Sequence, residues 1–325
     1  MPAQDIIIKL RQHNLLGRGG AAYPTWQKWA AVKEARGKKK YIICNASEGE
    51  PNVFKDGFIL ERYPETVING IKVALDTFDN SSAYLYLRPA YYQRFSKNLK
   101  KLAENLPITL FEKPHLYLAG EETTLLSAIE GKRLEPRQKP PYPPQSGLFG
   151  YPTLINNVET FYYVAEIAED KFKNNRFYSI NGAVENCGVY ELPVDWSIEK
   201  ILKETKNYPN FDFFIQNGGG AVGEVLLPKE LSRLTAGTGA IVVYSREKTN
   251  LTALMKKWAE FFITGNCDKC VPCREGVYRI YEMLENNSLD KNTLSDLLFV
   301  LEKTSFCPLG KEASISFRGV TEKLL

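Results

Sequence analysis

Four cysteines in the C-terminal part of the chain carry its plainest chemistry. Cys267-x-x-Cys270-x-x-Cys273 puts three thiolates on one tight turn leading into a helix, and Cys307, followed at once by Pro308, lies further on. A [4Fe–4S] cubane needs one thiolate per iron. A turn of this kind can hold three, the fourth must come from elsewhere in the fold, and a proline often follows a ligating cysteine. The oxidised core with four thiolates is a dianion. Backbone N–H groups at the start of the following helix would stabilise it, with Lys269 and Arg274 adding positive charge. The alternative is structural zinc, which favours two CxxC-type pairs over three cysteines in one run with a distant fourth. Cys44 and Cys187 lack companions and read as core or surface thiols. Clustered rather than dispersed cysteines argue against a disulfide framework and for a metal site.

A second group of residues could hold a nucleotide. Gly17-Arg18-Gly19-Gly20-Ala21-Ala22 fits a GxGxxA dinucleotide fingerprint only superficially, because a helix-like stretch precedes it and Ile42 stands where an acid is needed. The loop can still cradle a phosphate through converging N–H groups, or be a plain turn. Pro24 suits the first turn of a helix through Trp29 that carries Lys28. Asn45-Ala46-Ser47-Glu48-Gly49-Glu50-Pro51 and Gly120-Glu121-Glu122-Thr123 each follow a strand-like run, where α/β sheets place ligands. Their carboxylates could accept hydrogen bonds from ribose hydroxyls or a carboxamide, or be solvated surface acids. Asn156-Asn157 offers two amides that both donate and accept, or forms a turn.

These residues need a scaffold. Tyr41 to Asn45 and Ala83 to Leu87 read as buried strands; Thr66 to Leu75, Tyr91 to Asn105 and Asn157 to Lys171 read as helices. The Pro-rich stretch from Glu135 to Pro152 is too interrupted for regular structure. From about Arg176 the texture becomes β-rich, with strands at Phe177 to Ile180, Gly188 to Glu191, Phe213 to Gln216 and Gly239 to Tyr244 and one helix at Ile198 to Glu204. From Thr249 it becomes helical, at Leu251 to Ile263, Glu275 to Leu284 and Thr293 to Glu302. The expected domains are 1–174, 175–248 and 249–325. A length of 325 residues with 44% hydrophobic and 25% charged residues suits two or three folded cores and not a disordered chain. The formal net charge of +4 is explained by a solvated surface without a nucleic-acid partner. No apolar run approaches a membrane span. The amphipathic pattern over Met1 to Leu16, with Asp5, Lys9 and Arg11, is not a signal peptide. The expected compartment is the cytoplasm.

Six stretches then converge. GRGGAAYPTWQKW (17–29), NASEGEP with FKD (45–56), GEETTLLSAIEGKRLEPRQKPPYP (120–143), GLFGYPTLINNVET (147–160), CDKCVPCREG (267–276) and FCPLG (306–310) closely resemble the flavoprotein subunit of respiratory complex I. The same family includes the matching subunits of NAD-reducing hydrogenases and NAD-dependent formate dehydrogenases. The resemblance implies an α/β domain binding FMN and NADH, then a ubiquitin-like β-grasp domain, then a C-terminal helical bundle holding a [4Fe–4S] cluster. It implies that Gly17, Arg18, Gly19, Gly20 and Lys28 hold the FMN phosphate and ribityl chain. Asn45, Glu48, Tyr117, Gly120, Glu121, Asn156 and Asn157 would surround the flavin, Glu48 and Tyr117 at the reacting part. Tyr23 and Tyr142 would stack on the NADH adenine, and Glu50, Glu122 and Lys139 would contact the nucleotide. Cys267, Cys270, Cys273 and Cys307 match the cluster ligands. The chain departs from the family at Ser47 (usually Asp), Trp26 and Ala22 (usually smaller), Ala31 (an aromatic in some members) and Asn217-Gly218-Gly219-Gly220.

The resemblance implies an NADH dehydrogenase subunit that passes hydride from NADH to FMN and single electrons on to the cluster. Its implied partners are other redox subunits: a thioredoxin-like [2Fe–2S] subunit, a hydrogenase, a formate dehydrogenase or the peripheral arm of complex I. Two other readings remain open, an electron relay using NADPH or ferredoxin, and a non-enzymatic adaptor that has lost the flavin.

Overall fold

The apolar runs Tyr41–Asn45 and Ala83–Leu87 seed a parallel sheet. The computed structural model describes residues 3–325, with side chains from Ile6 onward, so Met1 and Pro2 of the first expected helix lie outside the described residues. The chain divides into two compact units. The first comprises the residues up to Gly49, Phe54–His115 and Ala119–Phe177; the second comprises Glu50–Val53, Leu116–Leu118 and Tyr178–Leu325.

In the first unit the elements run α1 (Ala3–Gln12), α2 (Thr25–Glu34), β1 (Lys40–Ala46), α3 (Lys55–Arg62), α4 (Pro64–Thr77), β2 (Ser81–Leu87), α5 (Pro89–Leu102), β3 (Ile108–Glu112), α6 (Glu122–Ile129), β4 (Thr153–Asn157) and α7 (Val158–Ala168). The strands form a four-stranded sheet in the order β3-β2-β1-β4, and every pairing is parallel. Successive side chains of a strand alternate between faces. Tyr41, Ile43, Tyr86 and Ile155 accordingly share a core with Leu125 and Leu126 of α6. Ile42, Cys44 and Leu85, on the other face, are fully buried too. Burial on both faces is what a parallel sheet requires.

The second unit contains most of β5 (Asn175–Gly182, whose first three residues belong to the first unit), β6 (Gly188–Pro193), α8 (Ile198–Glu204), β7 (Phe213–Asn217), β8 (Glu224–Leu226), β9 (Ala240–Ser245), α9 (Leu251–Gly265), α10 (Val271–Glu285), α11 (Lys291–Thr304) and α12 (Pro308–Lys323). Its sheet order is β6-β5-β9-β7-β8. β5 runs parallel to β9, and β7 runs antiparallel to both β9 and β8. Ile198, Ile201 and Leu202 of α8 pack on one face, against Tyr178, Phe213, Ile215 and Val243. Phe214 and Val225 point the other way, into a core with Trp258, Phe262, Ile280, Leu298 and Phe317 of the four C-terminal helices.

Several elements escape the sequence reading. β4 hides at the end of the Pro-rich stretch because its last residues are two asparagines. α12 hides because KEASISF lacks an apolar stripe; Ser316 is buried and donates to Ala221 O at 2.6 Å. β3, β8, α3 and α6 are short. α10 starts at Val271, so Cys273 lies inside a helix rather than on the turn before it. Gly120 ends a single 3-10 turn (Tyr117–Gly120) just before Glu121, the N-cap of α6, so the GEE motif does not emerge from a strand as expected. No helix among the described residues is long and apolar enough to cross a membrane.

Candidate active site and metal centre

The parallel order brings four carboxyl ends to one edge of the first sheet. β4 ends in Asn156 and Asn157, β1 in Asn45 and Ala46, β2 leads into Arg88, and β3 leads into Lys113. This edge is where open α/β sheets bind ligands. The Gly17–Gly20 loop lies against the end of β4, because a Cβ on Gly19 would sit 3.2 Å from Asn157 Cβ. Two of the loop's N–H groups have protein acceptors: Gly17 donates to Tyr23 O at 2.9 Å, and Arg18 to Thr160 Oγ1 at 3.0 Å. The Arg18 guanidinium is turned inward; it is buried, donates to Asn175 O at 3.4 Å and lies 3.9 Å from Glu159. What the loop presents outward at Gly19 and Gly20 is therefore backbone.

Behind the edge lies a buried ionic network that the sequence reading did not find. Lys55 Nζ sits 2.6 Å from Asp56 Oδ1 and 2.9 Å from Glu159 Oε2. Burial alone would pull this ammonium toward neutrality, but Asp56, Glu159 and Glu48 outweigh it and hold its pKa above the ordinary lysine value. Asn157 is woven into the network. Its Nδ2 donates to Asp56 Oδ2 at 2.6 Å, and its Oδ1 accepts from Lys55 Nζ at 3.3 Å and from Glu159 N at 2.9 Å. Asn156 is also engaged, accepting from Trp29 Nε1 at 3.3 Å. Glu48 takes Asp56 N–H at 3.1 Å and the Tyr91 hydroxyl at 2.5 Å. Its carboxyl thus closes the N-terminus of α3. Burial, then the neighbouring Asp56, raises its pKa.

The loops after β1 and before α6 meet. Asn45 Nδ2 donates to Gly120 O at 3.0 Å, and a Cβ on Gly120 would fall 2.4 Å from Ser47 Oγ. Only glycine fits there, and the small Ser47 shares the space. Glu121 caps α6, accepting from Thr123 N and Thr124 N at 2.9 Å each. Lys139 Nζ bridges Glu121 at 3.1 Å and Glu122 at 2.9 Å, and Lys28 Nζ reaches Glu122 at 3.3 Å. Burial would raise the Glu122 carboxyl, but the two ammonium groups win and hold it below the usual range. Tyr23 and Tyr142 expose 49% and 52% of their surface, leaving aromatic faces open to a ligand.

Two expected site residues belong to the second unit. Tyr117 packs edge-on to Phe261 at 4.5 Å between centroids. Glu50 is buried, and its Oε1 accepts from Ala221 N at 3.0 Å and Val222 N at 2.9 Å. A Cβ on Gly219 would come within 2.0 Å of that carboxylate, which accounts for the glycine-rich run that departs from the family. Burial pushes the Glu50 carboxyl up from 4.5 to about 7, partly opposed by the two N–H groups. A raised folded-state value means stability that is intact below the unfolded pKa and lost as pH rises through 7. Glu50→Gln keeps the acceptor and removes the charge. It should stabilise the chain by up to about 3 kcal/mol at pH 8 and change little at pH 4.5. Urea unfolding at the two pH values checks this, and a less stable variant at pH 8 would show that the donors need the charge.

The four cysteines come from two helix starts. Cys267 lies in the α9–α10 connection, Cys270 is the N-cap of α10, and Cys273 lies in its first turn. Cys307 is the N-cap of α12. Neither cap makes a side-chain hydrogen bond to its helix. A Cβ on Gly310 would sit 3.1 Å from Cys273 Cβ, so α12 approaches α10 closely at the thiols. Burial, then Cys270, Cys307 and Cys267, pushes the Cys273 thiol up to about 12. Four thiols crowd one another here, at the positive dipole ends of two helices. Among the described residues no three His, Cys, Asp or Glu side chains are gathered to hold a single metal ion.

A family model described as the Nuo51 FMN-binding domain matches residues 10–166, and one described as the NADH-ubiquinone oxidoreductase-F iron-sulfur binding region matches residues 253–323. An NADH-quinone oxidoreductase subunit of Rhizobium meliloti is 33% identical over 97% of this chain and 85% of its own. The chain belongs to the NADH-ubiquinone oxidoreductase-F family. The corresponding NADH-quinone oxidoreductase subunit of Aquifex aeolicus is 32% identical over 99% of the chain and 85% of its own. The NADP-reducing hydrogenase subunit of Solidesulfovibrio fructosivorans is 30% identical over 96% and 72%. An NAD+-reducing [NiFe]-hydrogenase in the H2-reduced state superposes with a TM-score of 0.89 at 27% identity over 98% of this chain. The chain spans 61% of that hydrogenase chain's length.

The residues of this oxidoreductase-F family chain fit both groups the family models describe. For the cluster, the donor set is four thiols at two helix N-termini that lack side-chain caps. For a flavin nucleotide, the fit lies in the open backbone at Gly20, where an added Cβ would meet nothing within 4 Å, and in the close Asn45–Gly120 contact at the carboxyl edge.

Proposed function

We propose that this chain is the NADH dehydrogenase subunit of a multi-subunit redox complex, with FMN and one [4Fe–4S] cluster as cofactors. FMN, when bound, takes two electrons from NADH together and releases them singly to the cluster. The observation that carries the reading is that one chain holds both a glycine-lined carboxyl edge and, at the starts of two helices, four neighbouring thiols. The backbone of Gly19 and Gly20 would receive the phosphate, with Lys28 nearby. Asn45 and Gly120 would bound the ring system. Arg18, Asn157, Glu48 and Glu121 would keep their places at the flavin, and their contacts with Asn175, Asp56, Tyr91 and the start of α6 would brace them there. Cys267, Cys270, Cys273 and Cys307 would ligate the cluster. The strand order of the second sheet, with α8 on one face, supports a β-grasp domain at 175–248, and α9–α12 support a helical cluster domain at 249–325. Redox partner subunits and a cytoplasmic setting complete the proposal.

Tyr23 and Tyr142 would flank the adenine. NADH is the proposed donor, although Glu122 supplies little repulsion toward a 2′-phosphate because Lys28 and Lys139 match its charge. The purified protein should release noncovalent FMN and contain about four irons per chain. NADH should bleach the flavin in stopped flow. Zinc without iron, or no flavin after anaerobic purification, would sink the proposal.

A further inference from the structure

Lys113 is unlike the other buried ions of the first unit. The residue is 6% exposed, no acid among the described residues is paired with its ammonium, and the Nζ atom itself keeps contact with solvent. The one charge that acts on it is another cation, Arg88, and burial with that repulsion lowers its pKa to about 8. The two residues are neighbours by topology: β2 and β3 pair with Leu87 opposite Glu112, and Lys113 N donates to Leu87 O at 2.8 Å. Arg88 is also the N-cap of α5, a 14-residue helix with no side-chain cap, so the positive end of its dipole faces the same place. Glu48 gives Arg88 its carbonyl at 2.6 Å, but the carboxylate of Glu48 is occupied by α3 and Tyr91. Two cations and a helix N-terminus therefore share the carboxyl edge, and among the described residues neither cation is paired with a carboxylate.

Such a group costs folding stability, so the fold does not need it. Its place suggests what does. The Gly17–Gly20 loop lies at β4, the Asn45–Gly120 contact at β1, and Arg88 and Lys113 at β2 and β3. Strands are spaced about 4.8 Å apart, so β2 lies only ~10 Å from β4. A flavin nucleotide with its phosphate at the loop and its ring over β1 would extend toward the cations.

We infer that Arg88 and Lys113 form the cationic wall of the flavin pocket and favour reduced FMN, the anionic redox state, over oxidised FMN. This rests on the FMN reading above. Positive charge at the ring end stabilises the state in which negative charge resides there, and leaves the neutral oxidised ring little affected.

The test uses the full chain and Lys113→Met, with Lys113→Arg as the charge-retaining control. Dissociation constants are measured anaerobically for oxidised and dithionite-reduced FMN, together with the thermal midpoint of FMN-free protein. Lys113→Met should bind oxidised FMN within about threefold of wild type and reduced FMN about tenfold more weakly, a fall of about 30 mV in the two-electron midpoint potential. FMN-free Lys113→Met should melt no lower than wild type, because it loses a buried unpaired charge. Lys113→Arg should restore the preference. Equal weakening of both redox states, or a destabilised FMN-free variant, would make Lys113 a structural residue and overturn the inference. So would stabilisation of FMN-free wild type, but not of Lys113→Met, by inorganic phosphate, which would mark a site for free anions instead. Wild type that binds FMN in neither state would overturn the flavin reading itself.

Discussion

Lys55→Met is expected to destabilise the first unit by about 3–5 kcal/mol at pH 8, the range for breaking a buried ion pair from one side. The side chain of Lys55 is 2% exposed, with carboxylates at 2.6 and 2.9 Å. Methionine fills the same volume, so a cavity contributes little. The loss comes from Asp56 and Glu159, which stay buried without a cation between them while Glu48 stands close by. Burial already raises the pKa of Asp56, and losing the ammonium beside it raises it further in the folded state. The cost is then greatest when both are ionised in the unfolded chain, and shrinks as pH falls toward their unfolded values. Adding Asp56→Asn and Glu159→Gln should recover most of the loss, because a network removed whole costs far less than one left half-satisfied. Urea denaturation at pH 8 and pH 5 reads both effects. A loss under 1 kcal/mol that does not change with pH would mean the carboxylates find water or another partner.

Lys55 marks the boundary of what could be read from sequence. The cysteine run, the glycine loop and the strands YIICN and AYLYL are local signals: spacing, backbone freedom and periodicity are written within a few residues. The role of Lys55 depends on Asn157 and Glu159, which lie about a hundred residues away, and no local pattern separates it from a surface lysine. The same limit explains Arg18. Its place in GRGG invites a phosphate, but its partners Asn175 and Glu159 come from the other end of the unit. Asn157 and Glu121 were open to a closer reading, because an Asn or a carboxylate just before a helix is a cap in its own right. Both do cap helices. The parallel order of the sheet was out of reach, since β3 and β4 are short and β4 follows a run of prolines.

Cys273→Ala should remove the iron and loosen the C-terminal helices while the first unit stays folded. A buried thiol that merely fills space costs little to truncate, about 1–2 kcal/mol for the small volume lost. Cys44 is such a thiol, fully buried with no companions, and Cys44→Ala should show that modest loss with its iron content unchanged. Cys273 differs because three other thiols press on it and because α12 reaches it through Gly310. A bound cluster would tie the start of α10 to the start of α12. Leu309 and Phe317 of α12 are buried in the same core as Val277 and Ile280 of α10, so losing that tie should be felt across these helices. Metal binding to a folded site is folding free energy, and its loss exceeds that of the methylene and sulfur alone. Iron analysis, the visible absorption of the cluster and hydrogen exchange over α10 and α12 give three independent readouts. NADH should still bleach the flavin of the variant, and electron transfer to an external one-electron acceptor through the cluster should stop. Unchanged iron in Cys273→Ala would rule the residue out as a ligand, and equal effects of Cys273→Ala and Cys44→Ala would reduce the four thiols to ordinary core cysteines.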